Sequence, residues 1–159
     1  MQNIRCFDPV ADEHSRVLIL GSMPGGESLR KREYYGHVRN AFWPLMCAML
    51  NRPYTEDYKA RLAMLLAHGI ALWDVIQSCD RKGSLDTHIK NAHINDFAGF
   101  FAAQTRITNV FFNGAKAHDL FARHVGFSFE HMGFTRLGST SPAHTIPFEK
   151  KLADWRRIL

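Results

Sequence analysis

A run of four apolar residues at positions 17–20, stopped by Gly21, constrains the fold most strongly. A short apolar run without polar alternation is typical of a strand buried on both faces of a parallel sheet. Similar runs occupy residues 70–75 and 107–112, and a weaker one occupies residues 134–137. The sequence therefore predicts four buried strands.

The segments between these runs show the hydrophobic spacing of amphipathic helices. One helix is predicted to begin near Tyr58, with a cap at Thr55 and a stop at Gly69. The other helical patterns begin after a cap at Asn95, after Asn40 with Pro44 in the first turn, after Gly114, and at Phe148. Strands that alternate with helices require crossover connections and form a parallel sheet covered on both faces.

The composition favours one folded domain over residues 1–159. Hydrophobic residues make up 46% and charged residues 22%, which excludes a disordered chain. No apolar run approaches the roughly 18 residues of a membrane span, and no signal-peptide pattern opens the sequence. The three cysteines are scattered, and the histidines lack ligand spacing. We therefore expect a cytoplasmic, nucleoid-associated protein that is monomeric and has no metal or other cofactor.

The formal net charge of +5 suggests a polyanionic partner, most commonly nucleic acid. The basic residues cluster at positions 30–32 with Arg39, at 81–82, and at 150–151 with 156–157. Many basic proteins never contact nucleic acid, so charge alone leaves that alternative open.

Ligands of a parallel sheet bind at the carboxyl ends of its strands, so the loops after the four runs are the candidate site. The first loop, residues 21–28, reads GSMPGGES, and its small residues would let backbone N–H groups approach a phosphate or a flat base. It has neither the Lys-Ser/Thr ending of a P-loop nor the GxGxxG dinucleotide fingerprint. A plain strand-to-helix turn is the alternative.

Residues 34–43 read YYGHVRNAFW and interleave aromatic with polar and basic residues. Aromatic rings beside Arg39 suit a base stacked near a phosphate chain. Phe42 and Trp43 are better explained as core residues at the start of a helix, whereas Tyr34 and Tyr35 have no such explanation.

Taken in order, these motifs resemble the hypoxanthine-DNA glycosylase (DNA-deoxyinosine glycosylase) family of the uracil-DNA glycosylase superfamily. The matching segments are LILGSMPG at 18–25, YY at 34–35, NAFW at 40–43, LWDV at 72–75, GSLD at 83–86 and STSPA at 139–143. The resemblance implies a three-layer α/β/α sandwich around a four-stranded parallel sheet. It also implies cofactor-free hydrolysis of the N-glycosidic bond of a deaminated base flipped out of DNA, as in base excision repair.

The resemblance implies a catalytic role for Asn40 and His144. Several related families carry a carboxylate or amide just before the proline of the first loop, but here that position is Met23. Asn40 is therefore the candidate for orienting the attacking water, with helix capping as the alternative. His144 would donate to the leaving base or balance charge on the sugar, and a simple exposed histidine is the alternative.

Substrate-binding roles follow from the same resemblance. Tyr35 would stack on the base, and Asp74 would read the base or act as a capping or surface carboxylate. Asn113 is expected to cap the helix after Gly114, and residues 84 and 86 to contact DNA or support the site. The remaining expected binding residues are Gly21, Ser22, Met23, Pro24 and Gly25 in the first loop, and Ser139 and Ser141, which would hold phosphates.

Three alternatives remain open at this point. A mismatch-specific uracil-DNA glycosylase would use the same chemistry on another base. A non-catalytic nucleic-acid-binding protein on the same fold would explain Met23. A flavodoxin-like small-molecule binder rests only on the parallel sheet and the glycine loop. In the first two cases the partner is DNA or another nucleic acid.

Overall fold

The computed structural model describes residues 2–159, in which strands and helices are interspersed along the chain. The strands are β1 (Gln2–Arg5), β2 (Val17–Gly21), β3 (Ile70–Asp74), β4 (Ile76–Arg81), β5 (Lys90–Ile94), β6 (Asn109–Asn113) and β7 (Gly133–Leu137). The helices are α1 (Gly26–Lys31), α2 (Phe42–Met49), α3 (Tyr58–Ala67), α4 (Phe97–Ala103), α5 (Ala115–His124) and α6 (Phe148–Trp155), with 3₁₀ turns at Asp86–His88 and Arg156–Ile158.

The four predicted strands form the central sheet, in the order β3-β2-β6-β7. All neighbouring strands are parallel, with Leu20 opposite both Trp73 and Phe112, and Phe112 opposite Arg136. Parallel strands bring their carboxyl ends to one edge, so the loops that follow Gly21, Asp74, Asn113 and Leu137 lie together there.

Helices cover both faces of this sheet, which confirms the three-layer α/β/α architecture. On one face, Leu20 and Phe112 pack with Phe97 of α4 and Phe121 of α5. Ile19, Leu72 and Phe111 point to the other face, because successive side chains of a strand alternate in direction. They pack there with residues of α2, α3 and α6, including Phe42, Leu65 and Trp155.

A second, antiparallel sheet of order β1-β4-β5 was not predicted. β4 begins two residues after β3 ends, and its buried Ile76 and Cys79 join the core that contains Leu20. β5 is exposed or half-buried along its length and reads KNAHI, so it has no apolar run to reveal it. The connection between β4 and β5 crosses the carboxyl edge of the central sheet and completes the candidate site.

Two predicted helix caps are wrong by one or two residues. Asp57, not Thr55, caps α3 by accepting the Ala60 N–H at 3.3 Å. α4 is capped by Asp96 and not by Asn95, whose side chain instead donates to the Asp74 carbonyl at 2.8 Å. In both cases an acidic side chain adjacent to the first turn provides the better-placed acceptor. Between residues 2 and 159, no helix is long and apolar enough to cross a membrane.

Candidate active site

A cavity of about 560 Å³ opens at the carboxyl edge of the central sheet. Its size falls within the range of small-molecule and nucleotide pockets. The loops after β2 and β7 line it, together with the last residues of β3 and β6, the segment before α2 and the connection between β4 and β5. All eleven residues predicted from the sequence lie in this lining: Gly21, Ser22, Met23, Pro24, Gly25, Tyr35, Asn40, Asp74, Ser139, Ser141 and His144.

Asp74 ends β3 and contributes a buried carboxyl to the cavity wall, with 4% of its surface exposed. Its Oδ2 atom has no hydrogen-bond partner among residues 2–159. Burial raises the pKa of Asp74 to about 7, and the charge of Asp86 adds to the increase while Arg81 opposes it. Near neutral pH the carboxyl is thus divided between a protonated form that donates a hydrogen bond and a charged form that accepts one.

Tyr35 approaches the same point from the segment before α2. Its φ of +55° is in the left-handed region, which an aromatic residue rarely adopts. Its ring stacks on Phe42 with centroids 4.0 Å apart. Its hydroxyl is buried near Asp74 and Gly21 and forms no hydrogen bond of normal geometry with the described residues. Burial and the charge of Asp74 raise its pKa, and the nearby Asn113 side chain opposes that increase. The hydroxyl is therefore a neutral donor held in place at the cost of backbone strain.

Neighbouring hydrogen bonds hold this strained conformation. The indole N–H of Trp43 donates to the Tyr34 carbonyl at 2.8 Å, and the Gly36 N–H donates to Ser28 Oγ at 2.9 Å. These bonds fix the chain on both sides of Tyr35, one to α2 and the other to α1. The tyrosine ring is consequently part of a rigid wall.

The connection between β4 and β5 braces the glycine loop. Ser22 Oγ donates to Asp86 Oδ1 at 2.7 Å, and the Gly26 N–H donates to Ser84 Oγ at 2.8 Å. The buried guanidinium of Arg81 donates to the carbonyls of Pro24 and Gly83. The interpretation of residues 84 and 86 as support for the site thus has a structural basis, whereas the bridging role of Arg81 was missed. A basic pair in the sequence does not by itself indicate that one of its guanidinium groups is buried.

Asn40 lies half-buried in the cavity wall just before α2. Its Oδ1 accepts the Phe42 N–H at 2.9 Å, although Ala41 is the residue at the N-cap position. The side-chain nitrogen has no hydrogen-bond partner within residues 2–159. Asn40 therefore combines a local contact to the helix start with a free donor at the cavity.

Asn113 and Thr140 join the ends of β6 and β7. Asn113 Nδ2 donates to Thr140 Oγ1, and the Thr140 N–H donates to Asn113 Oδ1, both at 2.9 Å. The expectation that Asn113 caps α5 is wrong, because that helix begins after Gly114 without a side-chain cap. The amide instead reaches across to the neighbouring loop, since β6 and β7 end side by side.

The loop after β7 has a second anchor in α6. Lys151 is buried, and its Nζ donates to the Ser141 carbonyl at 3.3 Å. Burial lowers the pKa of Lys151. The same carbonyl accepts the His144 N–H at 3.0 Å, while the His144 side chain is exposed at the mouth of the cavity. Lys151 was missed because a lysine pair on an amphipathic helix predicts a solvated face.

Metal-binding geometry does not occur in the described part of the chain, where no three His, Cys, Asp or Glu side chains group around a common point. The cavity offers instead a buried carboxyl, a buried phenol, the amide of Asn40 and backbone groups. These groups can bind and orient a polar ring and a water molecule.

Comparison with known proteins gives a consistent result. The sequence profile of the uracil DNA glycosylase superfamily matches residues 8–159. A protein from Methanosarcina acetivorans named hypoxanthine DNA glycosylase is 37% identical over 156 residues, covering 97% of this chain and 96% of the relative. One of the same name from Methanosarcina barkeri is 41% identical over 112 residues, covering 70% and 71%.

A solved structure agrees with these relatives. The solution NMR structure of a protein from Methanosarcina acetivorans, provisionally described as a uracil DNA glycosylase, superposes with a TM-score of 0.79. The two chains are 32% identical, and the match covers 99% of each. The fold, the cavity and these relatives define a hydrolytic DNA glycosylase. More particularly, the chain belongs to the uracil DNA glycosylase superfamily, so the predicted resemblance is confirmed and DNA is its substrate.

Proposed function

We propose that this glycosylase removes hypoxanthine, the deamination product of adenine, from deoxyinosine in DNA. The observation that carries the proposal is the convergence of Asp74 and Tyr35 in the cavity wall: Asp74 Oδ1 and the Tyr35 hydroxyl both lie beside Gly21, and Asp74 Oδ2 and the Tyr35 hydroxyl are buried without a hydrogen-bond partner among the described residues. Leaving such groups unpaired costs about 1–3 kcal/mol each, a cost that a ligand with matching polar atoms recovers. The names of the two Methanosarcina relatives support the same base.

Hypoxanthine matches these groups chemically. Its six-membered ring presents an N–H donor beside a carbonyl acceptor, and a protonated carboxyl presents the complementary acceptor and donor. Because the pKa of Asp74 is raised to about 7, the carboxyl has a substantial protonated population near neutral pH. Tyr35 leaves one ring face for stacking, since the other face lies on Phe42. A flat purine then lies between a ring and the glycine loop.

Hydrolysis breaks the bond between C1′ of the sugar and N9 of the base, and the water oxygen forms the new bond to C1′. The water loses its proton, and the departing base takes one up. Asn40 orients the water in this proposal, because a reaction with a dissociating base needs positioning more than a strong base. Asp74 donates a hydrogen bond to the departing base, and His144 at the mouth faces the sugar.

Phosphate contacts come from the small polar residues around the mouth. The hydroxyls of Ser139 and Ser141 and the backbone N–H groups of residues 22, 23 and 25 are the donors assigned to the DNA backbone. Because Ser141 is fixed through its carbonyl by Lys151, its loop presents these groups without reorganising. The enzyme contacts one distorted strand in this arrangement, while the base occupies the cavity.

A single-turnover assay tests the proposal with matched duplexes that contain deoxyinosine, deoxyuridine or deoxyxanthosine at one position. Alkali-labile abasic sites should form fastest at deoxyinosine. Faster release of uracil would favour the mismatch-specific uracil glycosylase, and binding without abasic sites would favour a non-catalytic protein. The Asn40→Ala variant, purified in parallel, controls for contaminating glycosylases.

A further inference from the structure

His37 is a half-buried residue of the cavity wall that the proposed reaction does not use. It begins a tight turn, in which the Asn40 N–H donates to the His37 carbonyl at 2.9 Å. Within the turn, the Arg39 N–H donates to Nδ1 of the His37 ring at 3.0 Å. The imidazole is therefore fixed to its own backbone turn.

The hydrogen bond from Arg39 determines which ring nitrogen of His37 carries the proton. A nitrogen that accepts a hydrogen bond has no proton, so the neutral imidazole carries its proton on Nε2. That N–H has no hydrogen-bond partner among residues 2–159. His37 thus brings an unused donor of defined tautomer to the cavity wall.

The backbone before His37 is anchored as well. Lys31 Nζ donates to the Gly36 carbonyl at 2.7 Å, and the Gly36 N–H donates to Ser28 Oγ at 2.9 Å. Both bonds tie the turn to α1. A donor on such a support loses little conformational freedom when a ligand binds to it.

The surroundings of His37 favour an anionic ligand. Arg39 in the same turn is exposed, and so is Arg32 at the end of α1. Glu27 also lines the cavity and would repel an anion, but Arg30 pairs with its carboxylate through two hydrogen bonds of 2.8 and 2.9 Å. The turn therefore combines a fixed N–H donor with positive charge at the edge of the cavity.

A nucleotide that enters the cavity keeps its two flanking phosphates, which stay with the rest of the strand outside. A charged phosphate oxygen accepts a stronger hydrogen bond than a neutral acceptor does. We propose that His37 donates its Nε2 hydrogen to a phosphate that flanks the flipped nucleotide. This inference rests on the proposed function, because it adds a contact to the nucleotide that the proposed site holds.

Binding to a duplex that contains one tetrahydrofuran residue tests this contact, because that residue has flanking phosphates but no base. Asparagine can accept the N–H two residues later and so keep the turn, but its side chain is shorter than the reach of Nε2. We expect His37→Asn to weaken binding about tenfold without lowering the unfolding temperature, and His37→Ala to weaken binding at least as much. Wild-type affinity in His37→Asn, with a loss only in His37→Ala, would overturn the proposal and leave His37 a role in the turn alone.

His124→Asn is the matched control. His124 is an exposed histidine at the last position of α5, which starts beside the cavity at Gly114 and extends about 15 Å away from it. Its substitution should leave the affinity for the duplex unchanged.

A scan with uncharged methylphosphonates then identifies the phosphate. Replacing the phosphate that His37 contacts should weaken wild-type binding about tenfold and His37→Asn binding by less than about twofold, because the variant has already lost the donor. Equal penalties in the two proteins at every phosphate would overturn the proposal. A wild-type protein that releases no hypoxanthine contradicts the proposed function, whereas the scan on base-free DNA still decides the role of His37.

Discussion

Asp74 and Gly21 are partners in the parallel sheet, and a Cβ atom on Gly21 would lie 2.7 Å from Asp74 Oδ1. The same atom would lie 3.1 Å from the Tyr35 hydroxyl. The first of these contacts is shorter than real Cβ contacts, so only a glycine lets the carboxyl and the phenol converge over the backbone. The glycine that ends β2 therefore shapes the part of the cavity that we assign to the base.

Gly21→Ala should displace both polar groups. We expect a loss of about 1–3 kcal/mol in unfolding free energy from overpacking, and a fall in single-turnover base release of about 100-fold from the shifted groups. Gly25→Ala is the control for stability, since its new methyl group would meet Ser84 at an ordinary 3.7 Å. Equal unfolding temperatures for the two variants would contradict the steric argument.

Asp74→Asn should change how stability depends on pH. Burial raises the pKa of Asp74 from 3.8 to about 7, so the folded protein binds a proton that the unfolded chain has released. The stability contributed by the protonated form is complete below about pH 3.8 and is lost as pH rises through about 7. An asparagine stays neutral at every pH. The free energy of unfolding of the variant should therefore rise relative to that of the wild type across this range, by at most about 4 kcal/mol.

Urea denaturation of both proteins between pH 4 and 8.5 measures this difference, and contributions from other titrating groups cancel in the subtraction. A difference in unfolding free energy between the two proteins that stays constant with pH would show that the pKa of Asp74 is not raised by folding. Base release by the wild type should also decline above pH 7 as the carboxyl loses its proton, and the Asp74→Asn variant should not show that decline.

The central sheet was predictable because each of its strands carries a local signal. The run at residues 17–20 is apolar on both faces. Such a run between helical segments is typical of a strand in a parallel sheet that is covered on both faces. β5 carries no comparable signal, since it is exposed or half-buried and its extended conformation depends on pairing with β4, which the local pattern does not reveal. The sheet of β1, β4 and β5 therefore escaped prediction.

The convergence of these loops on one cavity was predictable for a related reason. The ends of parallel strands meet at one edge, so motifs that follow strands converge there whatever their distance in sequence. The contacts within the site were not predictable: Ser22 bonds to a residue 64 positions away, and Arg81 to one 57 positions away. Such pairings depend on loop conformations that the sequence pattern does not encode.

Substitutions of Asn40 can separate its contact to the start of α2 from its role in the cavity. Asn40→Ala removes both the oxygen that accepts the Phe42 N–H and the side-chain nitrogen to which we assign a role in the cavity. We expect a loss of about 1 kcal/mol in stability and of about 100-fold in base release. Asn40→Ser keeps a short acceptor for the Phe42 N–H but has no amide, so it should unfold like the wild type and still release base slowly.

Single-turnover kinetics, thermal unfolding and DNA affinity, measured on the same preparations, distinguish these outcomes. DNA affinity should be nearly unchanged in both variants, since phosphate contacts dominate binding. Near-normal turnover in Asn40→Ser would reduce Asn40 to a residue that supports the start of α2.

Asn113 and Thr140 should behave as one energetic unit. Thr140 is fully buried, so Asn113→Ala leaves its N–H and its hydroxyl without partners, at a cost of about 1–3 kcal/mol. Thr140→Val removes only the hydroxyl and leaves the Asn113 amide nitrogen unpaired. A double-mutant cycle measured by urea denaturation should give a coupling of at least about 0.5 kcal/mol, because each single change already breaks the shared bond. Additive losses would show that the two loops are held together by other contacts. If the bond does anchor the loop, Asn113→Ala should also weaken DNA binding, since Ser139 and Ser141 flank Thr140 at the mouth of the cavity.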